Sequence, residues 1–196
     1  MCRLQHSAAT PLYFPVTLSA NSGLRFAPFV LNWIVMATTH SDSSDLLLEL
    51  NALAVTATSG QALMNDIVAL LHGKLTKYNW VGFYMLEKEG DHDVLVLGPF
   101  KGTMTPHTRI PLNQGICGAA ASSGMTIVIN DVASDPRYLA CSLETKSEIV
   151  VPIFVHGKVV GELDIDSHFL AAFGPSDRKL CEHAAAVLGK FLESHP

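Results

Sequence analysis

The sequence has no Cys-X-X-Cys pair, no His-Glu-X-X-His, and no cluster of basic residues. Its four cysteines, Cys2, Cys117, Cys141 and Cys181, are scattered along 196 residues, too sparse for a disulfide scaffold. A reducing compartment fits that usage, and a disulfide formed there would be catalytic or redox-sensing rather than structural. Lys and Arg number 13 against 18 Asp and Glu, for a net charge of −5. That balance excludes nucleic acid and anionic membrane as partners. None of the nine histidines sits in a metal-ligand spacing, so no metal is expected. The apolar stretch "FAPFVLNWIVM" is 11 residues long, too short to span a bilayer. Residues 1–41 also lack any Asp or Glu, while carrying Arg3, Arg25 and many Ser, Thr and Ala. That composition resembles an organellar transit segment, though Met36 opens "MATTHSDSSD" and would serve as a start of its own. The segment 1–41 is expected to be poorly ordered, with a single domain over 42–196. The expected location is cytoplasmic, with organellar import as the alternative if 1–41 is translated.

What is present reads as a globular chain: 48% of residues are hydrophobic and 16% charged. "SDSSDLLLELNALAVTA" offers Ser and Asp caps before an apolar face, so a helix starts near 43–45. Leu63, Ile67, Leu70 and Leu71 predict a second helix ending near Gly73. The period then changes. "NWVGFYMLE" and "DVLVLGPF", joined by "KEGDHD", read as a β-hairpin. "MTIVIND", "EIVVPIFV" and "VVGELDID" read as further strands, the last two joined by a tight turn at "VHGK". The final segment predicts a helix with Ser176 as N-cap and Asp177 in the first turn. This order is α+β: helices packed on one face of a mostly antiparallel sheet.

Three places could carry chemistry. Cys117, in "QGICGAA", lies where a glycine loop enters a helix, and such a terminus attracts anions and lowers a thiol's pKa. The competing reading is a small buried cysteine among alanines. Cys141 sits in the polar stretch "RYLACSLETKSE"; Arg137 and Lys146 favour its thiolate, Glu144 and Glu148 oppose it, and an inert surface thiol is the alternative. In "LDID", Asp164 and Asp166 share one strand face and Glu148 starts a neighbouring strand. Carboxylates that close together repel, so one would stay protonated. The alternative is a solvated strand face. Alternation also sends Trp80 and Tyr84 to one side of the first strand and Phe83 to the other.

"NWVGFYMLE", "LVLGPFKG", "RIPLNQGICG", "SEIVVPIFVHGKVVGELDIDS" and "FGPSDRKLCE" together resemble the free methionine-(R)-sulfoxide reductases, single-domain members of the GAF fold family. The resemblance runs from about residue 45 to 194 and implies a GAF-like central antiparallel sheet, with helices on one face and a small-molecule pocket on the other. It implies an oxidoreductase acting on free methionine-(R)-sulfoxide, not on the residue within proteins. Carried over by position, Cys141 is the nucleophile and Cys117 its partner in a disulfide that a thioredoxin-like reductant reopens. Glu148, Asp164 and Asp166 are the acids that meet the sulfoxide oxygen and the ammonium group. Trp80 and Tyr84 are the aromatic wall, and the amides near Gly115 and Ile116 hold the carboxylate. No organic cofactor is implied, and a homodimer is the family-like assembly. One feature departs from the pattern: many members carry a third, resolving cysteine two residues before "RIP", where this chain has His107. The rival readings are a GAF sensor that binds a small ligand without turnover, and a redox sensor in which the disulfide is the signal.

Overall fold

The computed structural model describes residues 44–112, 114–140 and 142–195. The expectation of a poorly ordered leader over 1–41, and the domain start at 42, therefore lie outside the described residues. So does Cys141.

Helix α1 covers residues 44–56 and α2 runs Gly60–Lys74. Ser59 caps α2, its hydroxyl accepting the Ala62 N–H at 3.1 Å. Strand β1, Trp80–Glu89, and β2, His92–Lys101, form the expected hairpin. They extend further than the apolar pattern suggested and take in most of "KEGDHD". Only Gly90 and Asp91 remain as loop, and Gly90 supplies the positive φ of 62°. Strand β3, Arg109–Pro111, was not expected. Three residues ending in proline carry no period of their own, and only pairing with β2 defines them.

Helix α3 spans Gly115–Ser123, β4 Ile127–Ile129, β5 Ser147–Val155, β6 Lys158–Ser167, and α4 Pro175–Ser194. The β5–β6 turn uses His156 and Gly157, at φ of 49° and 74°. The cap of α4 differs from expectation. Pro175 takes the first helical position, which its fixed φ suits, so the N-cap moves to Gly174 and Ser176 falls inside the first turn. Asp177 accepts the Gly174 N–H at 2.9 Å.

The six strands form one antiparallel sheet in the order β3-β2-β1-β6-β5-β4. Helices α1, α2 and α4 cover one face, burying Leu50, Leu63, Ile67, Leu188 and Phe191 against Phe83, Ile149, Leu163 and Ile165. The opposite face is covered by α3 and by loops. There Ile116, Cys117 and Ala120 meet Trp80, Tyr84, Leu95 and Val150. This is the α+β arrangement the sequence implies, with one small helix on the pocket side.

Candidate active site

Strand β6 alternates, and both faces are covered. Leu163 and Ile165 enter the helix-side core, while Glu162, Asp164 and Asp166 all point to the other side. Register with β5 places Glu148 directly opposite Asp166. Four carboxyl groups are thereby buried together, with Glu162 at 0% and Asp164 at 1% exposure. The solvated-face reading of the acids is therefore wrong. Glu162 was missed by the sequence reading, which stopped at "LDID". Stepping back two residues along the same strand would have found it.

Helix α3 brings Cys117 onto this acid face. Its Sγ lies 3.9 Å from Glu148 Oε1 and 3.7 Å from Asp164 Oδ2, within reach of a weak hydrogen bond to either. So the thiol is buried, as one reading of "QGICGAA" held, and alanines do line its helix. Its other side, however, is polar. Burial pushes all four carboxyls above their ordinary range. For Glu148 the charge of Asp164 adds most to that rise, for Asp164 the charge of Glu162, and for Asp166 the charge of Asp164. Glu162 is pushed up to about 8 by burial, and the Cys117 thiol softens that rise. Both Glu162 oxygens and Asp164 Oδ1 nevertheless lack a hydrogen bond of acceptable geometry. Burial of this kind favours the protonated form of a carboxyl, the form that can donate a proton.

The aromatic side is supplied by β1, whose Trp80, Gly82 and Tyr84 pair with Asp166, Asp164 and Glu162. Trp80 and Tyr84 stack with centroids 6.2 Å apart. The indole lies over Gly82, where any Cβ would collide with the ring. Their polar ends tie down the β2–β3 loop: Trp80 Nε1 donates to Thr103 O at 3.0 Å, and Tyr84 Oη to His107 O at 2.7 Å. His107 Nε2 in turn sits 3.2 Å from Ala140 O. The loop before β3 thus touches the loop carrying Cys141, one residue upstream of it. Arg137 pairs with Asp135, its guanidinium donating through Nε at 2.9 Å and Nη2 at 2.7 Å.

Gly115 opens α3 with φ of 73°, and a Cβ there would lie 2.9 Å from Leu139 Cδ1. The Gln114 side chain makes no cap, so the helix start around Gly115 and Ile116 has no side-chain anion of its own. Beside the acids, Trp80, Thr105, Thr145, Asp166 and His168 line a cleft of about 20 Å³. That is room for about one water molecule. A depression of about 790 Å³ between α4 and the β4–β5 edge includes none of these four acids. Cys181 is what its helical position implied: fully buried in the helix-side core, 3.6 Å from Tyr78 Oη, with its thiol pushed up to about 12 by burial.

These features define a sheet-and-helix domain that buries acids and a thiol together beneath α3. Comparison with known proteins places that class. The GAF domain family matches residues 59–192. The free methionine-R-sulfoxide reductase of Escherichia coli (strain K12) is 39% identical over 149 residues, spanning 76% of this chain and 87% of that protein. The free methionine-R-sulfoxide reductase from Neisseria meningitidis, solved in complex with its substrate, superposes with a TM-score of 0.72 at 36% identity, covering 78% of this chain and 89% of that one. The fRMsr of Staphylococcus aureus, in its complex with substrate, gives a TM-score of 0.69 at 36% identity, over 76% and 95% of the two chains. The chain belongs to the free methionine-R-sulfoxide reductase family, within the GAF domains.

Proposed function

We propose that the protein reduces free L-methionine-(R)-S-oxide to methionine by thiol chemistry. The observation that carries this reading is the buried contact of Cys117 Sγ with Glu148 and Asp164 at 3.9 and 3.7 Å. A thiol among buried acids whose protonated form is favoured suits a reaction that must protonate an oxygen and then form a disulfide.

In the first step the Cys141 thiolate attacks the sulfoxide sulfur. The sulfoxide oxygen takes a proton from a neutral carboxyl of the Glu148, Asp164 and Asp166 set, because unprotonated oxide is a poor leaving group. Oxygen transfer releases methionine and leaves Cys141 as a sulfenic acid. Cys117 then attacks that sulfur, the S–O bond breaks, water leaves, and a Cys117–Cys141 disulfide remains. A thioredoxin-like dithiol returns both cysteines to thiols. The substrate ammonium would ionise one carboxyl and pair with it. Its carboxylate would lie at the start of α3 near Gly115 and Ile116. Trp80 and Tyr84 would face its methyl group. A peptide-linked residue has neither terminus to offer, and so would be excluded. We further assign the active assembly as a homodimer.

The test is methionine formation from the (R) and (S) sulfoxides, with a thioredoxin system and separately with dithiothreitol. Turnover of the (R) form with both reductants supports the reading and Cys117 as resolving thiol. Turnover with dithiothreitol alone removes the thioredoxin route. The absence of turnover with either, in folded and reduced protein, sinks the reductase reading and favours a ligand sensor.

A further inference from the structure

The acid face has more negative capacity than one ammonium group requires. Cys117 Sγ, one oxygen of Glu148 and one of Asp164 all lie within 4.8 Å of one another. A second observation points the same way. Glu162, two residues before Asp164 on β6, is fully buried with neither oxygen hydrogen-bonded. Asp164 Oδ1 is likewise without a hydrogen bond.

We propose that, in the reduced protein, Cys117, Glu148 and Asp164, backed by Glu162, form a binding site for a thiophilic divalent cation, best matched by zinc. The site shares space with the ammonium position assigned above, but its occupation requires no turnover. Geometry decides for zinc. A tetrahedral ion with Zn–S of about 2.3 Å and Zn–O of about 2.0 Å holds S and O about 3.5 Å apart. The observed separations of 3.9 and 3.7 Å need to close by only a few tenths of an ångström. Glu162 supplies the fourth ligand directly or through water. Calcium would need six or more oxygens, and magnesium keeps several waters. The thiol excludes both on chemical softness.

Binding takes the proton from Cys117 and from whichever carboxyls are neutral, so affinity rises with pH. Bound zinc would hold Cys117 as a coordinated thiolate. It could then neither condense with a sulfenic acid nor leave room for an ammonium group. Zinc would act as a reversible brake that also shields the thiol from oxidation. No motif announces this site, because the ligands come from α3, β5 and β6 and share no short spacing.

The experiment uses the full reduced chain under argon. Zinc is titrated against a chromogenic chelator, and cobalt(II) is added as a spectroscopic stand-in. The expected result is one equivalent per chain, with a thiolate-to-cobalt charge-transfer band and the visible bands of a tetrahedral ion. Cys117→Ser should abolish that band and weaken zinc on the order of 100-fold or more, and Asp164→Asn should weaken it comparably. Cys181→Ala should bind as the parent does. The absence of a thiolate–cobalt band in the unmutated chain overturns the proposal. So does parent-like zinc affinity in both Cys117→Ser and Asp164→Asn, which would put the ion on histidines elsewhere. Neither readout depends on reductase activity, so this inference and the proposed function fail separately.

Discussion

The two faces of the sheet are equally dry and chemically opposite. Along β6, Leu163 and Ile165 pass into hydrocarbon formed by α2 and α4, while Glu162, Asp164 and Asp166 are buried on the face that α3 covers. Each face also holds a buried thiol. Cys181 lies against apolar side chains and the Tyr78 hydroxyl, and burial pushes it to about 12, where it is inert. Cys117 lies against two carboxyls. Burial alone therefore does not separate core from site. What separates them is whether the buried polar atoms are satisfied, and on the α3 face three carboxylate oxygens are not.

The largest effect should come from the thiols. Cys141→Ser is expected to lower turnover of the (R) sulfoxide by about 10³-fold or more, read as methionine released. Cys117→Ser should lose thioredoxin-supported turnover. Cys181→Ala should keep kcat and lose only stability, so a dead Cys181→Ala in folded protein would break the contrast between the two faces. Next comes packing. Leu163→Ala should cost about 2–5 kcal/mol in denaturant unfolding, by leaving a cavity in the helix-side core. Glu162→Leu, one residue earlier on the same strand, should be neutral or stabilising, because it removes a buried carboxyl without a hydrogen-bond partner.

A third prediction concerns pH. The folded pKa of Glu162 is raised from an ordinary value of 4.5 to about 8. The folded state then holds a proton that the unfolded chain gives up. This contribution to stability is complete below the ordinary value and is lost as pH rises through the folded one. Between pH 5 and 8 the unfolding free energy from denaturant titration should fall, with a slope on the order of 1 kcal/mol per pH unit for one such group. Glu162→Gln should flatten that slope; a parent-like slope in this variant would contradict the assignment. The smallest effect concerns His107, whose ring reaches Ala140 O at 3.2 Å. His107→Cys would put a thiol beside the loop bearing Cys141, and should raise thioredoxin-supported turnover several-fold while leaving the dithiothreitol rate unchanged.

Much of this architecture was readable along the chain. The helix faces of α1, α2 and α4, the β1–β2 hairpin, and the split of Asp164 and Asp166 from Leu163 and Ile165 all follow from period. Strand β3 did not, because a three-residue edge strand is defined by its partner β2 and not by its own pattern. The cap at Gly174 was hidden because Ser176 is the better capping residue by type, and only Pro175 fixes the start. The contacts of Cys117 with Glu148 and Asp164 span 31 and 47 residues, a distance that no local spacing reports. Glu162 was legible in principle. It was passed over because Val159, Val160 and Gly161 precede it and make the strand look apolar until the aspartates begin.

The central claim is that the acid face delivers a proton to the sulfoxide oxygen while Cys141 takes the oxygen from sulfur. The most direct test is a single turnover of reduced Cys117→Ser with L-methionine-(R)-S-oxide, in the presence of a sulfenic-acid-trapping dione and without added reductant. The account predicts one equivalent of methionine per chain and the trap on Cys141. No methionine, or methionine with the trap on another cysteine, would contradict it.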